Sequence, residues 1–119
     1  MLLRNKDKQT LLKIFSLLEF PVEVWAYGSR VNGTAHEGSD LDLVIRTSGS
    51  KKLPIDVLMN LKEKIRESNI PILVELFDWE RIPESFHRNI EARHEVLFNN
   101  TAANILNERE SAYKKPDEK

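Results

Sequence analysis

Residues 22–45 read VEVWAYGSRVNGTAHEGSDLDLVI. Val22 to Tyr27 is rich in β-branched and aromatic residues and ends at Gly28, the pattern of a strand that feeds straight into a turn. Leu41 to Ile45 forms a second strand, apolar on both faces apart from Asp42, which suits a central place in a sheet. Between them, residues 28–42 hold three of the chain's four glycines and close on two carboxylates.

Outward from this segment the pattern alternates. Upstream, residues 8–19 set Leu11, Phe15 and Leu18 at i, i+4 and i+7, with Leu12 and Ile14 widening the stripe, so an amphipathic helix is expected before Pro21. Downstream, Pro54 opens a helix over 54–67 that aligns Leu58, Leu61 and Ile65. A strand follows over 72–77, alternating around Glu75, then a short helix over 83–94 pairing Phe86 with Ile90, then a last strand over 95–98. The order α-β-turn-β-α-β-α-β predicts one α/β (α+β) domain over residues 1–98, a small mixed sheet with helices packed on it. Residues 99–119 read as a polar C-terminal tail, with Ile105 and Leu106 almost its only apolar content.

Composition narrows the function. Eighteen Lys and Arg against nineteen Asp and Glu leave a net charge of −1, so no strong field draws in polyanions, and neither strong nucleic-acid binding nor membrane attachment is expected. The absence of cysteine removes disulfides, thiol catalysis and cysteine-ligated zinc. With no long apolar segment, the expectation is a soluble, cytoplasmic protein.

The chemistry concentrates in residues 28–42. Gly28 and Ser29 at a strand end can open a short helix over 29–32 whose N–H groups and dipole receive a phosphate, with the Ser29 hydroxyl as a further donor. Arg30 is read as a phosphate partner, and Ser39 is grouped with Gly28, Ser29 and Arg30 as nucleotide-binding. Asp40 and Asp42, at i and i+2, project from one face roughly 6.6 Å apart along the chain and invite a hard cation, of which Mg²⁺ is favoured because it shares its sites with water and phosphate oxygens. Glu75 interrupts an apolar strand where an unpaired charge is costly, so it is the candidate third acid of a two-metal site; Asp78, on the opposite face by strand alternation, ranks behind it. Plainer readings also exist: Gly28-Ser29 as a strand-ending turn, Ser39-Asp40 as an Asx or Ser turn, Glu75 on an edge strand facing water. Thr34 stands where a P-loop needs lysine. His36, His87 and His94 are expected to be solvated or capping, and Trp25 and Trp79 to be core or interface.

Taken together, Gly28-Ser29, ten residues, then Asp40-x-Asp42 resembles the GS-x₁₀-D-x-D signature of the minimal nucleotidyltransferases, relatives of the polymerase-β palm. The likeness runs over residues 8–98, including Val74 to Trp79. It implies a palm-like fold, Gly28 and Ser29 on the triphosphate, Asp40 and Asp42 on two Mg²⁺ ions, and Glu75 as the carboxylate near the attacking hydroxyl. Glu75 departs from the aspartate usual at that place. The resemblance further implies AMP transfer from ATP to a hydroxyl with release of pyrophosphate, and a protein adenylyltransferase that acts as the antitoxin of a helical HEPN-class toxin, with homo- or hetero-oligomers open. Rival expectations are a noncatalytic nucleotide-binding antitoxin acting by complex formation and a small-molecule, antibiotic-type nucleotidyltransferase.

Overall fold

The computed structural model describes residues 1–101. The tail expected over 99–119 lies mostly outside the described residues. Eight regular elements follow one another: α1 (Asn5–Phe15), β1 (Val22–Tyr27), α2 (Ser29–Asn32), β2 (Leu41–Thr47), α3 (Ile55–Arg66), β3 (Val74–Asp78), α4 (Glu84–Ala92) and β4 (Glu95–Asn99), with a 3₁₀ turn at Trp79–Arg81. They build a four-stranded mixed sheet of order β3-β2-β1-β4. β1 runs antiparallel to β2 and to β4, while β2 and β3 are parallel, joined by a crossover through α3.

Strand alternation divides the sheet into two faces. Val22, Val24 and Ala26 of β1, Leu41, Leu43 and Ile45 of β2, Leu76 of β3 and Leu97 of β4 meet Leu11 and Phe15 of α1 and Leu58, Leu61 and Ile65 of α3 in the main core. Each of the larger side chains contributes about 1.5–3 kcal/mol on full burial, so this face anchors the fold. The opposite face carries a smaller cluster of Trp25, Val44, Trp79 and Ile90, closed by α4. Among the described residues, no helix is long and apolar enough to cross a membrane.

Several boundaries differ from the sequence expectation, for local reasons. α1 starts earlier than residue 8, because Arg4 pairs with Asp7 at 2.9 Å and Asp7 lies in the first turn, where its charge suits the helix dipole. It ends well before Pro21: the Ser16 hydroxyl donates to the Lys13 carbonyl at 2.7 Å, competing with the helical ladder. The 3₁₀ turn was not anticipated; the Asp78 carboxylate caps it by accepting from the Glu80 amide at 3.0 Å. Asp78 does face away from Glu75. It is buried, accepting from the Leu53 amide at 2.8 Å and pairing with Arg81 at 3.1 Å, and so ties the loop before α3 to the end of β3.

The tryptophans are core, as expected; of the histidines expected to be solvated or capping, His94 caps the end of α4, and both it and His87 also stack on an indole. His94 stacks on Trp25 and His87 on Trp79, each with ring centroids 3.8 Å apart, while the two indoles meet edge to face at 5.5 Å. The Arg46 guanidinium lies over both indoles, at 4.6 and 4.2 Å from their centroids. His87 also donates to the Trp79 carbonyl, and His94 to that of Ile90.

Candidate active site

Register brings the candidate residues together. Tyr27 is the direct partner of Asp42 across β1 and β2, and Asp42 is the direct partner of Glu75 across β2 and β3. Directly opposed residues share a face, so phenol and two carboxylates form one row across three strands, on the side away from the main core. Asp40 stands just before β2, one alternation upstream of Asp42. Of this row Asp42 and Tyr27 are half-buried, while Glu75 and Asp40 are exposed.

Gly28 joins the turn to this row. Its backbone lies at φ +82° and ψ −156°, a region that residues with a side chain avoid. A Cβ added there would sit 2.6 Å from Asp42 Oδ2, so the bare glycine backbone lies directly against the carboxylate. The Gly28 carbonyl accepts from the Val31 and Asn32 amides at 3.0 Å, which winds α2 immediately after it with Ser29 as first residue. The short helix expected over 29–32 is therefore present, opening beside Asp42.

The electrostatics follow from this packing. Burial, then the charges of Glu75 and Asp40, push the Asp42 carboxyl above its ordinary value. The same row raises the Tyr27 phenol to about 12, through burial first and the charges of Asp42 and Glu75 after it. A cation at this row would offset the carboxylate charges that add to the effect of burial in both shifts. The donors on offer are carboxylate oxygens, hard ligands suited to Mg²⁺. Among the described residues no three His, Cys, Asp or Glu side chains close into a ready-made metal cage. Asp42 and Glu75, with Asp40 upstream, are thus a row of carboxylates along neighbouring strands and not a formed three-ligand site.

Arg30 requires a correction. It is buried, and its guanidinium is turned away from the role of free phosphate partner: Nε donates to the Ser39 carbonyl at 2.9 Å, Nη2 to that of Glu37 at 2.8 Å, and Nη1 to that of Leu2. It binds the loop between α2 and β2 to the N-terminal segment. Ser39 is likewise used in that loop, its hydroxyl accepting from the His36 amide at 3.0 Å, while the exposed His36 ring accepts from the Gly38 amide. Both residues thus brace the loop that runs into Asp40.

Beside Gly28 a cleft of about 300 Å³ opens between the end of β1, α2 and α4, lined by Tyr27, Gly28, Asn32, Phe86, Asn89, Ile90 and Arg93. The sequence reading did not find it, nor Tyr27. The available signal was the spacing of residues 86, 89, 90 and 93, one face of a helix at i, i+3, i+4 and i+7.

Comparison with known proteins gives the family and the fold. Residues 9–103 match the family described as "Polymerase beta, Nucleotidyltransferase". Over 76 residues the chain is 42% identical to the "Probable protein adenylyltransferase MntA" of Haemophilus influenzae (strain ATCC 51907 / DSM 11121 / KW20 / Rd); the match takes in 62% of this chain and 63% of that protein's length. Among solved structures, a toxin-antitoxin crystallised with AMP-PNP superposes with a TM-score of 0.64 at 18% identity, over 83% of this chain and 78% of that one. A crystal structure from Shewanella oneidensis superposes with a TM-score of 0.61 at 15% identity, over 87% and 79%. At such identities the two structures show the fold alone.

Proposed function

From the premise that the chain belongs to the polymerase beta nucleotidyltransferase family, we propose that it transfers AMP from ATP to a hydroxyl of a protein acceptor. The observation that carries this reading is the register that sets Asp42 beside Glu75 with Gly28 pressed against the Asp42 carboxylate. Phosphates held at Gly28 and Ser29 would lie directly beside a row of hard oxygen donors. Asp40 and Asp42, with Glu75, would hold two Mg²⁺ ions. When bound, Mg²⁺ neutralises phosphate charge and favours the ionised form of the attacking hydroxyl.

Around that group, the protein's task is positioning. Gly28 and Ser29 fix the triphosphate, and Arg30 fixes the loop that carries Asp40. The acceptor oxygen forms its bond to the α-phosphorus, the bond to the α,β-bridging oxygen breaks, and pyrophosphate leaves with that electron pair. The hydroxyl proton is released.

The acceptor is read as a toxin partner. The name of the Haemophilus relative supports a protein acceptor, and the toxin-antitoxin structure that shares this fold supports reading that protein as a toxin; the sequence resemblance is what suggests a helical HEPN-class protein. Co-expression with a HEPN-class toxin followed by intact-mass measurement tests this. A toxin heavier by whole AMP groups, reverting to the unmodified mass with Asp42→Asn, is the expected result. A stable complex with an unmodified toxin would replace transfer by neutralisation through binding alone.

A further inference from the structure

The cleft beside Gly28 is built for a flat, polar-edged ligand. Tyr27 and Phe86 bring aromatic rings to its wall and Ile90 an aliphatic one; Asn89 offers an amide donor and acceptor, Arg93 a cation, and Asn32 an amide donor, its Oδ1 already accepting from the Thr34 amide and hydroxyl. Phe86 is 51% exposed and lines the cleft, so its ring is open to a ligand there. At about 300 Å³ the cleft lies at the small end of ligand sites and suits one ring system rather than a segment of another protein. Arg93 reaches the Asn32 carbonyl at 3.5 Å, drawing the end of α4 toward α2.

Its place in the sheet decides between donor and acceptor. The cleft shares Gly28 with the phosphate-binding turn and lies on β1, whereas Glu75 lies on β3, with β2 between them. With Glu75 read as the carboxylate at the attacking hydroxyl, the acceptor approaches from the far side of Asp42. We propose that this cleft is the nucleobase subsite, with Phe86 as the stacking surface and Asn32 and Asn89 reading the base edge. This rests on the nucleotidyl-transfer reading above, and it adds α4 to the nucleotide site as its specificity-determining element.

Titration calorimetry in Mg²⁺ with ATP and, separately, with inorganic tripolyphosphate tests it on the wild type, Phe86→Ala and Phe86→Trp. The half-exposed position should tolerate both changes, which a melting curve verifies. Phe86→Ala should weaken ATP binding by at least about fivefold, the loss of one base–aromatic stack, while tripolyphosphate binding stays unchanged, and Phe86→Trp should restore ATP binding. Unchanged ATP affinity in Phe86→Ala, or an equal loss for both ligands, would overturn the assignment. Binding of neither ligand by the wild type would instead overturn the nucleotidyl-transfer reading, and this inference with it.

Discussion

Replacing Gly28 with alanine separates two reasons for a glycine at this turn. The first is conformational: at φ +82° and ψ −156° the backbone occupies a region essentially reserved for glycine, and holding a side chain there costs about 1–3 kcal/mol. The second is steric, since the new Cβ would lie 2.6 Å from Asp42 Oδ2 and the carboxylate would have to rotate away. At about 5 °C per kcal/mol for a domain of this size, Gly28→Ala should lower the melting temperature by about 5–15 °C. Transfer activity should fall further than stability, because Asp42 leaves the row it forms with Glu75. A double-mutant cycle with Asp42→Ala isolates the steric part: the Asp42 Cβ lies 3.7 Å from the added carbon, an ordinary contact, so only backbone strain remains in that background. Urea denaturation of the four proteins should give a coupling energy of at least about 0.5 kcal/mol. Wild-type stability and activity in Gly28→Ala, or strictly additive losses, would refute the placement of Gly28 against Asp42.

Other expectations follow from the same geometry. Because the folded state holds the Asp42 proton more tightly than the unfolded state does, stability in Mg²⁺-free buffer should decline as pH rises from the ordinary aspartate value of 3.8 through the raised folded one. Asp42→Asn should remove that decline, equal or exceed the wild type by a few tenths of a kcal/mol at neutral pH, and abolish transfer; melting temperatures across pH 3–8, on the order of the range where carboxylates titrate, check it. Glu75→Gln keeps shape and exposure but removes charge, so it should leave the melting temperature within about 2 °C and lower kcat; unchanged turnover would exclude Glu75 from the site. Arg30→Ala strips donors from the carbonyls of Leu2, Glu37 and Ser39 and should cost about 2–4 kcal/mol in urea denaturation. A stable Arg30→Ala protein that had lost only ATP affinity would return Arg30 to the phosphates.

The strands and the order of elements are legible because β-branched runs and their punctuation are local properties. Strand alternation also places Glu75 and Asp78 correctly on opposite faces, since that needs only a period of two. Three features are not legible. Arg30 beside Gly28-Ser29 reads as a phosphate ligand, and only the tertiary path of the N-terminus and of residues 36–39 shows that its donors are occupied by carbonyls. His87 and His94 carry no spacing that announces their stacking partners, which come from the 3₁₀ turn after β3 and from β1. Tyr27 joins the carboxylate row through the β1–β2 register, and register is a relation between segments that neither segment states alone.

The central claim, that Gly28, Ser29 and the Asp40–Asp42 pair form one nucleotide-and-cation site, is tested most directly by melting the purified protein with ATP, with Mg²⁺, and with both, beside the Asp40→Asn, Asp42→Asn double variant. At a hundredfold excess over the dissociation constant a ligand stabilises by about 2.7 kcal/mol, or about 13 °C at the same conversion. A shift of that order is expected only when ATP and Mg²⁺ are present together, and none in the variant. An equal shift in the variant, or one produced by ATP without the cation, would contradict it.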